Sequence, residues 1–197
     1  MINLVLASGS ESRRRLLLNA GIIAKAVKPN VDEETAKLAM RAEGLPIGEQ
    51  AMHLAELKAL KVSSEESGLV IGGDQMLALD GEAFDKPADL QGARNHLERL
   101  SGKTHALETA IAIAEDRQII WRYLARPRLT MRGFSASFID HYIERMGDDL
   151  LDTVGAYKLE SLGSQLFSRI EGDYFSILGL PLLPLQDYLR TRGVLAL

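Results

Sequence analysis

The sequence predicts an α/β protein built on a mixed β-sheet, and three observations support this. Short apolar runs of strand length alternate with segments of helical period along the whole chain. Asp80-Gly81, the strongest short turn signal present, joins two strand-like runs as a hairpin and so demands antiparallel pairing. No internal repeat, low-complexity linker or sharp change of composition divides the 197 residues. The expectation is therefore one domain, or a two-lobed unit, over residues 1–197.

The elements follow in order. Ile2 to Ala7 is an apolar strand, and Ser8-Gly9-Ser10 turns it into a helix carrying Leu16, Leu17 and Ala20 before Gly21. A β-like run, Ile22 to Val27, leads through Pro29-Asn30 to a second helix from about Asp32, with acids in its first turn. Pro46 and Gly48 start a third. Leu69 to Ile71 is a buried strand expected to end at Gly72-Gly73-Asp74, and Met76 to Leu79 pairs with Glu82 to Phe84 across the hairpin. Leu90, Ala93, Leu97 and Leu100 recur at helical spacing until Gly102. Thr104 to Ala114 and Gln118 to Leu124 form paired strands around Glu115-Asp116-Arg117. Ser135 caps a helix carrying Phe138, Ile139, Tyr142, Ile143 and Met146. The remainder alternates short strands with Gly and Pro turns and closes on a helix from about Pro184 to Arg192.

Composition removes several classes of function. Hydrophobic residues make up 46% and charged residues 25%, the balance of an ordinary folded domain rather than a disordered or fibrous chain. The longest apolar stretch, Phe175 to Leu185, is broken by Gly179, Pro181 and Pro184, so no membrane span is expected. The N-terminal apolar run has no basic segment before it and no cleavage-like site after it, which points to a cytoplasmic protein. Cysteine is absent, which excludes disulfides, thiolate nucleophiles and iron–sulfur clusters. The four histidines are scattered too widely for a zinc site, so any metal is expected to be oxygen-bound. A net charge of -4 speaks against a nucleic-acid surface.

Against that background a few residues stand out. Ser8, Ser10, Ser12, Arg13, Arg14 and Arg15 crowd a strand-to-helix junction, where free N–H groups and the helix dipole favour an anion. A capped helix with a solvated arginine face is the competing reading, and the segment lacks the Walker spacing. Lys58 falls within the apolar stripe of Ile47, Ala51, Leu54, Ala55 and Val62, where it either snorkels to water or lines a polar cleft beside the core. Asp74 and Gln75 follow a buried strand, the region where ligands gather in α/β sheets. Asp85-Lys86-Pro87 returns a cation toward the same end of the hairpin, and Asp32-Glu33-Glu34 offers a second carboxylate. Phosphate-binding cations together with carboxylates suit a magnesium-type ion bound jointly with substrate phosphates. Phosphoanhydride hydrolysis is then the leading chemistry, with a carboxylate taking the proton of the attacking water.

These residues resemble the Maf family of nucleoside triphosphate pyrophosphatases nearly end to end. The likeness rests on Leu6-Ala7-Ser8-Gly9-Ser10 with Arg13, Asp32-Glu33, Leu54-Ala55 with Lys58-Ala59, and Gly72-Gly73-Asp74-Gln75 leading to Lys86-Pro87. It continues through Ser101-Gly102 with His105 and Thr109, Gly155-Ala156-Tyr157, Leu162-Gly163, Gly172-Asp173-Tyr174 and Gly179-Leu180-Pro181-Leu182. The resemblance implies a fold like that of inosine triphosphate pyrophosphatase, with an elongated mixed sheet flanked by helices, two lobes and a central cleft. It implies a homodimer and cleavage of a nucleoside triphosphate between the α and β phosphates, with Mg2+ or Mn2+. Carried across, Asp74 resembles the proton acceptor and Glu33 an acidic metal or water partner, so both are the implied metal ligands. Lys58 and Lys86 resemble the phosphate cations, and Ser8, Ser10 and Arg13 the phosphate loop. Where many members have Ser-Pro-Arg-Arg, this chain has Ser10-Glu11-Ser12-Arg13, which leaves Arg14 or Arg15 as a replacement arginine.

Ser12, Gln75 and Glu160 align with positions that vary with the base. Gln75 and Glu160, with Lys158, resemble the 7-methyl-GTP type rather than the dTTP and UTP type. Two other classes are weighed against hydrolysis. A nucleotidyltransferase would open on a similar loop, but Glu11 stands where its glycine is expected. A non-catalytic nucleotide-binding regulator of cell division would not need Asp74, Lys58 and Lys86 intact.

Overall fold

The computed structural model describes residues 3–196. β1 (Leu4–Ala7) is buried at every position, and the expected start of this strand at Ile2 lies outside the described residues. Ser10 caps α1 (Glu11–Asn19) by accepting the Arg13 N–H. At its far end Gly21 takes φ +71°, and Ile22 N–H bonds the Leu17 carbonyl. Ile22 therefore belongs to a helix-ending turn, which explains why β2 is only Lys25–Val27 and not the longer run expected from Ile22. α2 (Glu33–Ala42) is capped by Asp32, and α3 (Ile47–Ser63) enters at Pro46.

β3 (Leu69–Leu79) corrects the sequence reading, since Gly72-Gly73-Asp74 lies inside one continuous strand of 11 residues rather than ending it. The glycines serve close packing, as described below, and not a turn. Asp80 and Gly81, both at positive φ, then turn the chain into β4 (Glu82–Phe84) as the hairpin signal predicts. α4 (Leu90–Leu100) precedes β5 (Thr104–Glu115), which pairs antiparallel with β6 (Gln118–Ala125). β7 (Arg128–Met131) is too short and polar to stand out in the sequence. α5 (Ala136–Met146) follows its Ser135 cap. Two 3-10 turns, Gly147–Asp152 and Leu162–Leu166, precede β8 (Phe167–Glu171), α6 (Tyr174–Ile177) and α7 (Leu182–Thr191).

The hydrogen-bonded order is β2-β1-β3-β5-β7-β8, with β4 on β3 and β6 on β5. β2, β1 and β3 run parallel, and the remaining pairs with a recorded register are antiparallel, so the protein is α/β with a mixed sheet flanked by helices. The chain divides into two compact units. The first comprises the described chain up to Gln75, Thr109–Ala125 and the described chain from Asp173 onward. Leu4, Leu6, Ile71, Ile111, Leu180 and Leu185 share its core on one face of the sheet. Val5, Ala7, Val70 and Ala114 meet Ala59 and Val62 of α3 on the other. Each fully buried Leu or Ile contributes about 1.5–3 kcal/mol. Among the described residues, no helix is long and apolar enough to cross a membrane.

The second unit, Met76–Glu108 with Arg126–Gly172, packs α4, α5 and the 147–152 turn together. Its sheet layer carries a buried polar pair, His105 Nε2 to the Tyr157 hydroxyl at 2.8 Å, with Phe167 set edge-on to Tyr157. Burial lowers the His105 pKa from its ordinary value to about 4, which leaves the imidazole neutral in the folded state at pH 7. The unfolded chain takes up this proton near pH 6.5, so stability contributed by neutral His105 is present above that pH and is lost as the pH falls toward 4. Chemical denaturation of the wild type from pH 7 to 4 is expected to lose on the order of 3 kcal/mol more than the same series on His105→Gln. Parallel losses in the two proteins would refute this.

Candidate active site

The site in the first unit begins with glycine. A Cβ on Gly72 would lie 2.1 Å from the Ala55 carbonyl oxygen and 2.7 Å from Ala59 N, so the backbone of α3 lies directly on β3. Ala55 and Ala59, both fully buried, complete this flat contact. The residue between them on the next turn, Lys58, is thereby carried to Asp74, two residues beyond Gly72 on the same face of the strand. Its Nζ donates to Asp74 Oδ1 at 2.6 Å and lies 2.9 Å from Glu33 Oε2 at the start of α2. Lys58 and Asp74 are only 6% and 7% exposed, whereas the Glu33 side chain is 41% exposed. A buried ion pair of this kind holds one geometry firmly, because removing either partner leaves an uncompensated charge.

Gly73 serves the opposite face. A Cβ there would sit 3.1 Å from Arg13 Nε, so the strand leaves room for the arginine to cross it. Arg13 Nε donates to the Gly179 carbonyl at 2.7 Å and Nη1 to Ser8 Oγ at 3.2 Å. Burial lowers the Arg13 pKa, an effect opposed by the carboxylates of Asp74 and Glu33, and the guanidinium stays charged. Ser8 Oγ also accepts the Ser10 N–H at 3.1 Å, folding the loop between β1 and α1 into a tight turn.

Ser8, Ser10, Arg13, Glu33, Lys58 and Asp74 thus belong to one unit, with contacts linking Ser8, Ser10 and Arg13 and joining Lys58 to both carboxylates. Ser12 lies half-buried on α1. Arg14 is placed differently: it makes a two-pronged pair with Glu11 at 2.8 and 2.7 Å on the exposed side of α1, and Arg15 leans toward the same carboxylate. Gln75 Nε2 is held internally by Thr109 Oγ1 at 2.8 Å and by the Ser176 and Ile177 carbonyls at 2.9 and 3.2 Å. This ties β3 to the short helix α6, whose cap Asp173 holds Ser176 through both its N–H and its hydroxyl. Thr109 and Asp173 are supporting residues that the chemical reading of the sequence does not single out. The only signal for them is their place in the family-like motifs.

Lys86 and Glu160 lie in the second unit, both exposed. Lys158, near Glu160, is held by Asp149 at 2.6 Å. Among the described residues no cluster of three His, Asp or Glu is placed to hold a metal by itself. Asp74 and Glu33 form a two-carboxylate donor set already gathered around one cation. Hard oxygen donors in that number fit a small divalent ion that takes its other ligands from substrate phosphates and water.

The profile of the Maf-like protein family matches residues 3–192. Curated relatives span almost the whole chain. A protein of Hyphomonas neptunium named nucleoside triphosphate pyrophosphatase is 67% identical, over 96% of both chains. One of the same name from Rhodospirillum rubrum is 50% identical, over 97% of this chain and 95% of its own. A protein of Mesorhizobium japonicum named 7-methyl-GTP pyrophosphatase is 45% identical, over 98% of this chain and 97% of its own.

The packing at Gly72 has a direct test. Gly72→Ala is expected to destabilise the protein by about 1–3 kcal/mol in urea denaturation, because the helix must lift from the strand. Gly9→Ala, where the nearest atom is a Lys28 side-chain carbon at 3.8 Å, is expected to change stability little. Equal midpoints for the two variants would contradict the close contact.

Proposed function

We propose that this chain, which belongs to the Maf-like protein family, is a nucleoside triphosphate pyrophosphatase that releases the monophosphate and pyrophosphate. The observation that carries this reading is the buried Lys58–Asp74 pair with Glu33, in the same unit as the Ser8–Arg13 loop. The α1 N-terminus, Ser10 and Arg13 supply donors for phosphate oxygens. Lys58 neutralises charge and fixes Asp74 through Oδ1, leaving Oδ2 to accept a proton from water. Water oxygen then bonds to phosphorus as the α–β bridging bond breaks, pyrophosphate departs with the bond's electrons, and the proton rests on Asp74. Asp74 and Glu33 would hold the divalent cation, Mg2+ or Mn2+, whose charge stabilises the phosphates in the transition state. In this proposal Lys86 is a further phosphate cation, and the protein is a cytoplasmic homodimer.

Base choice is part of the same proposal. Gln75 has its amide nitrogen engaged by carbonyls of its own unit, so recognition falls to Glu160, supported by Lys158. A carboxylate accepts two N–H donors from a guanine edge, and the positive ring of 7-methylguanine strengthens that contact. A methylated or guanine-like triphosphate is the preferred substrate on this reading.

With labelled substrate and Mg2+, the products are expected to be monophosphate and pyrophosphate, and folded Asp74→Asn to lose at least ~100-fold in turnover. Stepwise orthophosphate release, or near-normal turnover by the variant, would overturn the assignment. In a side-by-side kcat/KM comparison, 7-methyl-GTP is expected to exceed dTTP and UTP, and Glu160→Gln to narrow the gap. Better turnover of dTTP or UTP would refute the base preference alone.

A further inference from the structure

We propose that His105 is a positioning residue for base selection: its buried bond to Tyr157 fixes the segment Gly155–Glu160, which presents Lys158 and Glu160. The inference rests on the reading that these two side chains recognise the base. Every contact it uses lies within the second unit.

The segment is held from several sides. His105 stands in β5, paired opposite Leu129 of β7, and β7 pairs in turn with β8, which supplies Phe167. This sheet forms a rigid base on which Tyr157 rests, 4.9 Å from Phe167 between ring centres. The Tyr157 hydroxyl meets His105 Nε2 at 2.8 Å, and both side chains are buried, at 5% and 2% exposed. Among the described residues His105 Nδ1 has no hydrogen-bond partner, and the Tyr157 hydroxyl is the polar group that meets the imidazole at Nε2. An apolar residue would fill the position without leaving a buried nitrogen unpaired. The histidine therefore does something that packing alone does not require.

What it holds is strained backbone. Gly155 and Ala156 both adopt positive φ, +82° and +57°, and Ala156 carries a side chain in a region that disfavours one. Such a conformation persists only when its surroundings enforce it. Tyr142 makes a long contact of 3.5 Å from its hydroxyl to the Ala156 carbonyl. On the other flank a Cβ on Gly163 would lie 2.3 Å from the Lys158 carbonyl oxygen, so the 162–166 turn abuts the Lys158 backbone. Ser161 donates to that same carbonyl through N–H and hydroxyl. Lys158 Nζ is aimed by Asp149. Tyr157 is the anchor between strained Ala156 and the two recognition residues, and His105 is what locks its ring.

The test reads dissociation constants by calorimetry for the α,β-methylene analogues of 7-methyl-GTP and dTTP, so it does not depend on turnover. Tyr157→Phe keeps the ring packing and deletes the hydroxyl, while His105→Leu removes the imidazole that the hydroxyl meets. Each is expected to reduce the ratio of the two constants about tenfold, the double variant no further than either single one, and His105→Gln to restore it. Glu160→Gln is measured alongside. If Glu160→Gln shifts the ratio but Tyr157→Phe and His105→Leu leave it unchanged, whatever happens to their thermal midpoints, the positioning role is wrong and base reading by Glu160 stands. If Glu160→Gln has no effect, the base-reading premise fails and the inference falls with it.

Discussion

The site depends on one close approach, the backbone of α3 against β3 at Gly72. A helix normally packs on a sheet through a layer of apolar side chains. Here two alanines and a glycine remove that layer, and Lys58, between the two alanines in the helix, comes within reach of a carboxylate in the adjacent strand. Any side chain at position 72 would lift the helix and open the ion pair. The site's charge arrangement is therefore a by-product of backbone packing, which is stiff, rather than of loop conformation, which is not.

The same economy of space governs the other face of β3. Gly73 admits Arg13, and Arg13 and Gln75 between them hold the chain around α6 and Gly179. Arg13 and Lys58 are already held by hydrogen bonds and ion pairs beside Asp74 and Glu33, so a ligand bound there has little reorganisation to impose. The exposed Glu33 is the adjustable member, and the buried Lys58–Asp74 pair is the fixed one.

What the sequence makes legible is local. The Asp80-Gly81 hairpin, the Ser8-Gly9-Ser10 turn, the Ser135 cap and the helical stripe around Lys58 follow from periods and turn chemistry that act over a few residues. The stripe leaves open whether Lys58 snorkels; only Asp74, sixteen residues away in the chain, decides that. Gly72-Gly73 reads as a turn because pairs of glycines usually are one, and nothing nearby in sequence reports Ala55 or Arg13 above and below the strand. The His105–Tyr157 bond spans 52 residues and the tie from Gln75 to Ser176 spans 101, far beyond any periodicity. The partner of Arg14 is nearer: Glu11, one helical turn back, pairs with it.

The first unit is assembled from three separated stretches of chain, and this has a bearing on how the protein comes to be. Leu182, Leu185 and Leu189 of α7 pack in the same core as Leu4 and Leu6 of β1. During synthesis, β1, α1 and β3 leave the ribosome long before their covering helix exists. Their apolar face must wait, exposed or chaperoned, while the whole second unit is made. That second unit, by contrast, is complete in sequence once β8 has appeared. Acquisition of order is then expected to run out of step with the chain's own sequence, the unit from the middle of the chain settling first and the loop between β1 and α1 gaining its final shape last, when Gly179 arrives to receive Arg13.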